Sequence, residues 1–373
     1  MERYSDPNRI YTYSYRSISH SLFDKVNKYW LNYAFRFVPP TMSPNLLSMI
    51  GNIGSWISLI IMVSMGSSHG SHHRHLFAIA SFSVFFYHTV DNLDGRQARR
   101  IGCTGPLGEF IDHWFDSFNV FFFPLSIMAA FSVIPLSWAI ALVLLASLAD
   151  WLTLREVMKT NVMYFGPVST DEGIFVVWGF LGTVAVTGYE FWATSHPVLG
   201  FPPIFLLIAI YAVSCSAVII RILITYRGMG VINLLVQMAM LSPVVFWIYT
   251  AVPIFGRQVS LVTGLFVIGF SGSRHVGDLL RARLTGLKNP LLYPDLALCS
   301  LFVLAVTILF RSTLEVPALV LLLPMVVMLV DIIQALIVQF FRTVRRVYDC
   351  LGIPLFNNQP SPEVIAVESL RVK

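Results

Sequence analysis

Apolar runs of about 20 residues, long enough for a helix to cross the hydrocarbon core of a bilayer, recur along this chain between short polar stretches. The pattern predicts ten spans, near 46–65, 75–92, 108–134, 136–157, 173–194, 202–226, 231–252, 256–280, 291–311 and 315–343. The fold class expected is therefore an all-α polytopic membrane protein with about ten transmembrane helices. Ahead of the first span, Ser21–Phe37 sets Leu22, Val26, Tyr29, Trp30, Tyr33 and Phe37 at helical spacing, with Lys25, Lys28 and Arg36 among them. That suits an amphipathic helix lying in the membrane interface, or equally one packed on the protein's own polar face. Residues 1–45 thus read as a lead-in, 46–345 as a transmembrane catalytic domain and 346–373 as a polar tail. There are no internal repeats and no second unit large enough to fold alone.

Composition agrees. Of 373 residues, 56% are hydrophobic and only 12% charged, about half the charged fraction of an ordinary soluble domain. Charge asymmetry orients the spans. If ten alternate, the side of the N-terminus carries Arg96, Arg99, Arg100, Arg155, Lys159, Arg281 and Arg283 among others, and the opposite side only Arg74, Arg257 and Arg311. The positive-inside rule then puts both termini in the cytosol. The net charge of +5 points to an anionic membrane surface and phosphate-bearing ligands, not to nucleic acid. The first spans would direct insertion, with no cleavable leader. Cys103, Cys215, Cys299 and Cys350 show no paired spacing and read as free thiols. The turn Gly66–His75 holds His69, His72, His73 and His75; a solvated turn is the preferred reading over a metal site.

The chemistry concentrates in DNLDGRQARRIGCTGPLGEFIDHWFD, residues 91–116. Asp91 and Asp94 are three apart, Asp112 and Asp116 four apart, so each pair shares a helix face. Two such helices facing each other bring four carboxylates to one point at the edge of hydrocarbon, where ionised groups need partners or a task. Their mutual repulsion calls for a divalent cation. Ligation by oxygen alone favours Mg²⁺, with Mn²⁺ as a substitute, over zinc or copper. Gly95, Ala98 and Gly108 keep bulk away from the carboxylates, and Arg99 can fork onto a phosphate. A nucleotide or pyrophosphate substrate and an in-line phosphoryl-type transfer are implied. His113, with Glu109 four residues earlier as its orienting partner, is favoured as proton acceptor over Asp116, whose basicity a bound metal would depress.

At these offsets Asp91, Asp94, Gly95, Ala98, Arg99, Gly108, Asp112 and Asp116 resemble, without departure, the signature of the CDP-alcohol phosphotransferase family. YSYRSISHSL, SPNLLSMIG, GRQARR and PLGEFIDHWFD further resemble its eukaryotic choline and ethanolamine phosphotransferases. The resemblance implies transfer of phosphocholine or phosphoethanolamine from CDP-choline or CDP-ethanolamine to diacylglycerol, with release of CMP. It implies two Mg²⁺ ions on Asp91, Asp94, Asp112 and Asp116. Asn45, Gly95, Ala98 and Arg99 would contact the CDP moiety, with Gly108 beside them. His113, supported by Glu109, would take the proton. In a eukaryote it implies the endoplasmic reticulum or Golgi membrane, with the site facing the cytosol.

The likeness covers the first 175 residues and fades to matching hydropathy afterwards. Trp114 and Phe115 stand where the family often has small residues, and Gly272–Asn289 matches only loosely. His275 in that segment reads as structural. A homodimer is expected to use spans eight to ten. Two other readings are a CDP-diacylglycerol-dependent transferase to a soluble alcohol, and a cation transporter using the acidic cluster as a path. The transporter does not account for the glycines, Ala98 and Arg99 at these offsets.

Overall fold

The computed structural model describes residues 10–11, 13–14, 16–19, 24–66, 73–166, 170–226, 231–286, 293–312 and 317–359. His69, His72, Leu22, Lys288, Asn289 and residues 360–373 of the tail lie outside them. Twelve α-helices fall within the described residues: α1 (Asp24–Ala34), α2 (Pro44–Met65), α3 (Arg74–Ile101), α4 (Pro106–Ala130), α5 (Leu136–Thr160), α6 (Thr170–Thr187), α7 (Tyr189–Ala193), α8 (Ile204–Thr225), α9 (Val231–Phe255), α10 (Arg257–Thr285), α11 (Pro294–Ser312) and α12 (Leu323–Leu351). The only described strands, β1 (Arg16–Ser19) and β2 (Val162–Phe165), pair in parallel with Arg16 opposite Val162. That pairing fastens the lead-in to the chain just after α5.

The protein is an all-α polytopic membrane protein. Long helices stand at all ten expected positions, α2–α6 and α8–α12. Seven of them are long and apolar enough to cross a membrane: α2, α5 and α8–α12. The other three differ for a physical reason. α3 and α4 carry the acidic cluster, and the apolar part of α6 runs only from Glu172 to Thr187.

α10 is the central post. Of its most apolar stretch, 72% is buried, against 17% for α8 at the periphery. It packs on α4, α5, α9 and α12, while α2 packs on α3 and α4, and α3 on α6. Lipid offers no hydrophobic incentive for helices to associate, so close steric fit must hold them. Phe118, Phe121 and Phe122 of α4 supply it against Phe266 and Phe270 of α10, with Phe121 and Phe270 centroids 5.3 Å apart, edge to face. Between α2 and α3 the fit is closer still, because Gly54 lies directly against the Ser83 carbonyl.

The lead-in helix packs on the protein itself, the second of the two sequence readings, and leaves its other face free for the interface. Trp30 of α1 sits edge-on to Phe175 at 5.2 Å and tilted against Phe85 at 5.7 Å, which docks one face on α3 and α6. Tyr29, Tyr33 and Phe37 are exposed on the other, as an interfacial helix requires.

A Cβ at Gly54 would collide with backbone that cannot rotate away. Gly54→Val is therefore expected to destabilise the α2–α3 pair by about 1–3 kcal/mol, seen as earlier loss of monodisperse protein on heating in detergent. Unchanged thermal behaviour would contradict the close approach.

Candidate active site

α3 and α4 are joined by a four-residue turn, residues 102–105. Gly102 closes α3 in the left-handed conformation (φ +69°) that glycine adopts without strain. Its amide and that of Cys103 both donate to the Ala98 carbonyl. Pro106 then opens α4 at a first-turn position where its missing N–H costs nothing. The turn folds the carboxylate face of α3 onto that of α4. One oxygen each from Asp91, Asp94 and Asp112 lies within 4.8 Å of the others, and so do ligand atoms of Asp112, His113 and Asp116. Asp112 belongs to both groups. All four aspartates and His113 are thus brought together, as two groups that share Asp112 and are rich in the oxygen donors that suit a divalent cation.

Neighbouring helices hold the carboxylates in place. Ser48 of α2 donates its hydroxyl to Asp94 Oδ2, and the buried Tyr87 donates to Asp116 Oδ1 at 2.7 Å. One layer deeper, Asn119 Nδ2 donates to Asn52 Oδ1 at 2.9 Å and locks α4 to α2. His113 Nδ1 lies 3.9 Å from Asp112 Oδ2, so the imidazole borders the acidic group instead of standing apart.

The three arginines of the turn divide their work. Arg96 donates to Asn32 at 2.6 Å, and Arg100 donates to the Val38 carbonyl at 2.8 Å while covering the Phe35 ring. Both hold the lead-in. Arg99 is exposed and makes no hydrogen bond or ion pair among the described residues. Its guanidinium folds back over Gly95, 3.4 Å from where a Cβ would sit. A side chain there would meet the one arginine of Arg96, Arg99 and Arg100 that makes no hydrogen bond or ion pair among the described residues.

Gly108 and Asn45 border a second small space. A Cβ on Gly108 would stop 3.8 Å from Asn45 Oδ1. The cleft they share is completed by Cys103, Ile353 and Asn357. Asn45 Nδ2 donates to the Leu355 carbonyl at 2.6 Å, and Cys103 reaches the Gln359 carbonyl. Burial pushes the Cys103 thiol up from its ordinary value. The segment after α12 therefore forms one wall of the cleft.

Glu109 engages partners the sequence did not suggest. Its carboxylate is ion-paired with Arg283 of α10 and accepts the Tyr13 hydroxyl at 2.6 Å. Arg283 also donates to the Ser14 carbonyl at 3.2 Å. In the sequence, Arg283 reads only as one of the positive charges on the side of the N-terminus; the fold buries it against a carboxylate 174 positions away. Ser48 gave no signal, because a serine hydroxyl in an apolar helix is ordinarily satisfied by its own backbone; Tyr87 gave none, because a tyrosine in an apolar helix reads as an amphipathic ring. His275 lies well inside α10, against Gln237 and Tyr293, in keeping with a structural histidine.

The model of the CDP-alcohol phosphatidyltransferase family matches residues 41–330. The chain belongs to this family. The matched stretch contains the whole acidic cluster and ten of the twelve helices, with α12 entered only at its start. Similar proteins include a CDP-alcohol phosphatidyltransferase class-I family protein from Dictyostelium discoideum, described as uncharacterized, 35% identical over 48% of this chain and 46% of its own. Cholinephosphotransferase 1 of Xenopus laevis is 26% identical over 52% and 49%. Choline/ethanolaminephosphotransferase 1 of Saccharomyces cerevisiae is 29% identical over 44% and 43%. The chain spans about half the length of the curated relatives it matches.

Removing one member of a buried ion pair strands the other. Arg283→Ala is expected to cost about 3–5 kcal/mol of stability, measured by thermal unfolding. The double change Glu109→Leu with Arg283→Met is expected to recover most of that loss; a double variant as unstable as the single one would refute the pairing.

Proposed function

We propose that this CDP-alcohol phosphatidyltransferase family member transfers phosphocholine or phosphoethanolamine from its CDP ester to diacylglycerol, yielding phosphatidylcholine or phosphatidylethanolamine and CMP. The convergence of two acidic groups that share Asp112, beside an arginine with no hydrogen bond or ion pair among the described residues, carries the reading. The names of the Xenopus and yeast relatives favour this donor–acceptor pair over CDP-diacylglycerol with a soluble alcohol.

The chain's residues divide the task. Asp91, Asp94, Asp112 and Asp116 would hold two Mg²⁺ ions. When bound, such ions neutralise pyrophosphate charge and orient the ester for in-line displacement. Ser48 and Tyr87 fix the rotamers of Asp94 and Asp116, so the carboxylates are set before substrate arrives. Arg99 would take a phosphate of the CDP moiety in its fork, with Gly95 and Ala98 leaving the approach open. Asn45 and Gly108 would border the nucleotide in the cleft.

His113 would accept the proton as the diacylglycerol hydroxyl oxygen bonds to the head-group phosphorus and the bond to CMP breaks. Glu109, tied to Arg283 and Tyr13 in the structure, would support His113 through the first turns of α4 on which both sit. Asp116 is the second candidate for the proton, disfavoured because metal binding makes a carboxylate a poor base. The site would face the cytosol, in an endoplasmic reticulum or Golgi membrane if the source is eukaryotic.

The test supplies purified protein with diacylglycerol, Mg²⁺ and CDP-choline in competition with CDP-ethanolamine, and identifies the labelled lipid. Product formation is expected, along with abolition by Asp91→Ala or Asp112→Ala. No product from either donor would refute the assignment. His113→Ala is expected to lower turnover by about 10²–10⁴-fold while sparing CDP-ester binding, and wild-type turnover would shift the base to Asp116. Arg99→Lys is expected mainly to raise KM for the CDP ester, since an ammonium cannot reproduce the fork; an unchanged KM would remove Arg99 from the donor site.

A further inference from the structure

Beyond the carboxylate cluster, one feature of the molecule is large, charged and without a task. A recess enclosing about 860 Å³, open mouth included, lies among α10, α11 and α12. Its walls are two facing helical stripes. Arg274, Asp278 and Arg281 of α10 are spaced four and three apart, and Gln339 and Arg342 of α12 lie three apart across from them. Tyr293 and Asp295 close the third side.

Three arginines and two aspartates border the recess. Arg281 pairs with Asp278 at 2.8 Å, and Arg274 pairs with Asp295 at 2.5 Å and with Asp331, behind the wall, at 3.6 Å. Arg274 also covers the Tyr293 ring at 4.6 Å. Arg342 is left over: it is exposed and makes no hydrogen bond or ion pair among the described residues. An arginine with no partner among the described residues, beside an open polar recess, is available to an anion from outside the chain.

Position says which anion. Arg281 is four residues from the end of α10, at the end of the bundle where Arg283 meets Glu109 and where the acidic cluster lies. Charged residues near a helix end sit at the head-group level of a bilayer. The outer faces alongside are apolar and exposed, with Leu298 and Leu301 on α11 and Phe341 on α12. A charged pocket with apolar flanks at that depth matches an amphiphile, with polar head in the recess and chains along the helices.

We infer that the recess among α10, α11 and α12 binds the phosphodiester head group of a membrane phospholipid, with Arg342 as the principal contact and Arg281 beside it. The site is separate from the carboxylate cluster and does not depend on which alcohol the enzyme transfers. It is nonetheless adjacent. Gln339, in its wall, accepts a hydrogen bond from the Trp114 indole at 3.1 Å and donates to the Arg274 carbonyl at 2.9 Å. Trp114 is the residue after His113. The recess is thus one side chain away from the helix that carries the reacting groups.

The experiment uses the full chain in phosphatidylcholine nanodiscs containing a photoactivatable phosphatidylcholine, its reactive group close to the glycerol. Cross-linked peptides are mapped by mass spectrometry, with labelling of the exposed face of α8 as internal reference. Label on α11 and α12 around the recess is expected to fall about tenfold in Arg342→Ala, the weight of one charge-assisted hydrogen bond to phosphate. Val338→Trp, which fills the recess and leaves every charge in place, is expected to lower it as well. Undiminished label in both variants would overturn the proposal. So would equal labelling by a photoactivatable diacylglycerol that lacks phosphate. Full displacement by inorganic phosphate would make this a site for a soluble anion, and cross-links to a second copy of the chain in place of lipid would make it an interface; either overturns the lipid assignment.

Discussion

Asp112 stands within a few ångströms of Asp91 and Asp94 on one side and of Asp116 on the other; such carboxylates repel, and much of the architecture around them serves to keep them there. The glycine-and-proline turn between α3 and α4 supplies the approach. α2 is drawn in against both helices, close enough at Gly54 to touch backbone, and brings Ser48 to Asp94. Tyr87 does the same for Asp116 from within α3. A bound divalent cation would complete the balance, and the helix contacts hold the acidic groups together around its place.

α10 carries the second half of the design. It is buried along most of its length, meets α4 through a phenylalanine seam, and anchors the start of α4 through the Arg283–Glu109 pair. The site therefore rests on contacts at both ends of α4: apolar and steric deep in the bundle, ionic near the turn. The lead-in residues Tyr13 and Ser14 join the ionic end, and the β1–β2 pairing holds that segment against the chain beyond α5.

The sequence made the acidic cluster legible because ionised residues in an apolar background stand out, and their spacing of three and four speaks directly of helix faces. Helix positions were legible for the same reason, apolar length being the one property lipid demands. What stayed hidden depends on which helix neighbours which. The pairing of Glu109 with Arg283 spans 174 residues, and no local pattern encodes it. Ser48 and Asn119 look like any polar residue a helix can satisfy internally. The division of labour among Arg96, Arg99 and Arg100 follows from where the lead-in lies, and only the fold reveals that. The motifs that carry the resemblance lie in the first 175 residues, whereas the family match runs to residue 330 and takes in α10 and α11 of the arginine-lined recess.

Residues after α12 wall the cleft between Asn45 and Gly108, and this bears on how the protein comes into being. Asn45 meets Leu355, 310 positions later, and Cys103 meets Gln359. Chains are synthesised from the N-terminus and inserted as they emerge. The carboxylates of α3 and α4 are thus made well before α12, and the cleft can close only once the residues after α12 have followed. Translation itself therefore separates in time the making of the acidic helices from the closure of the space beside them.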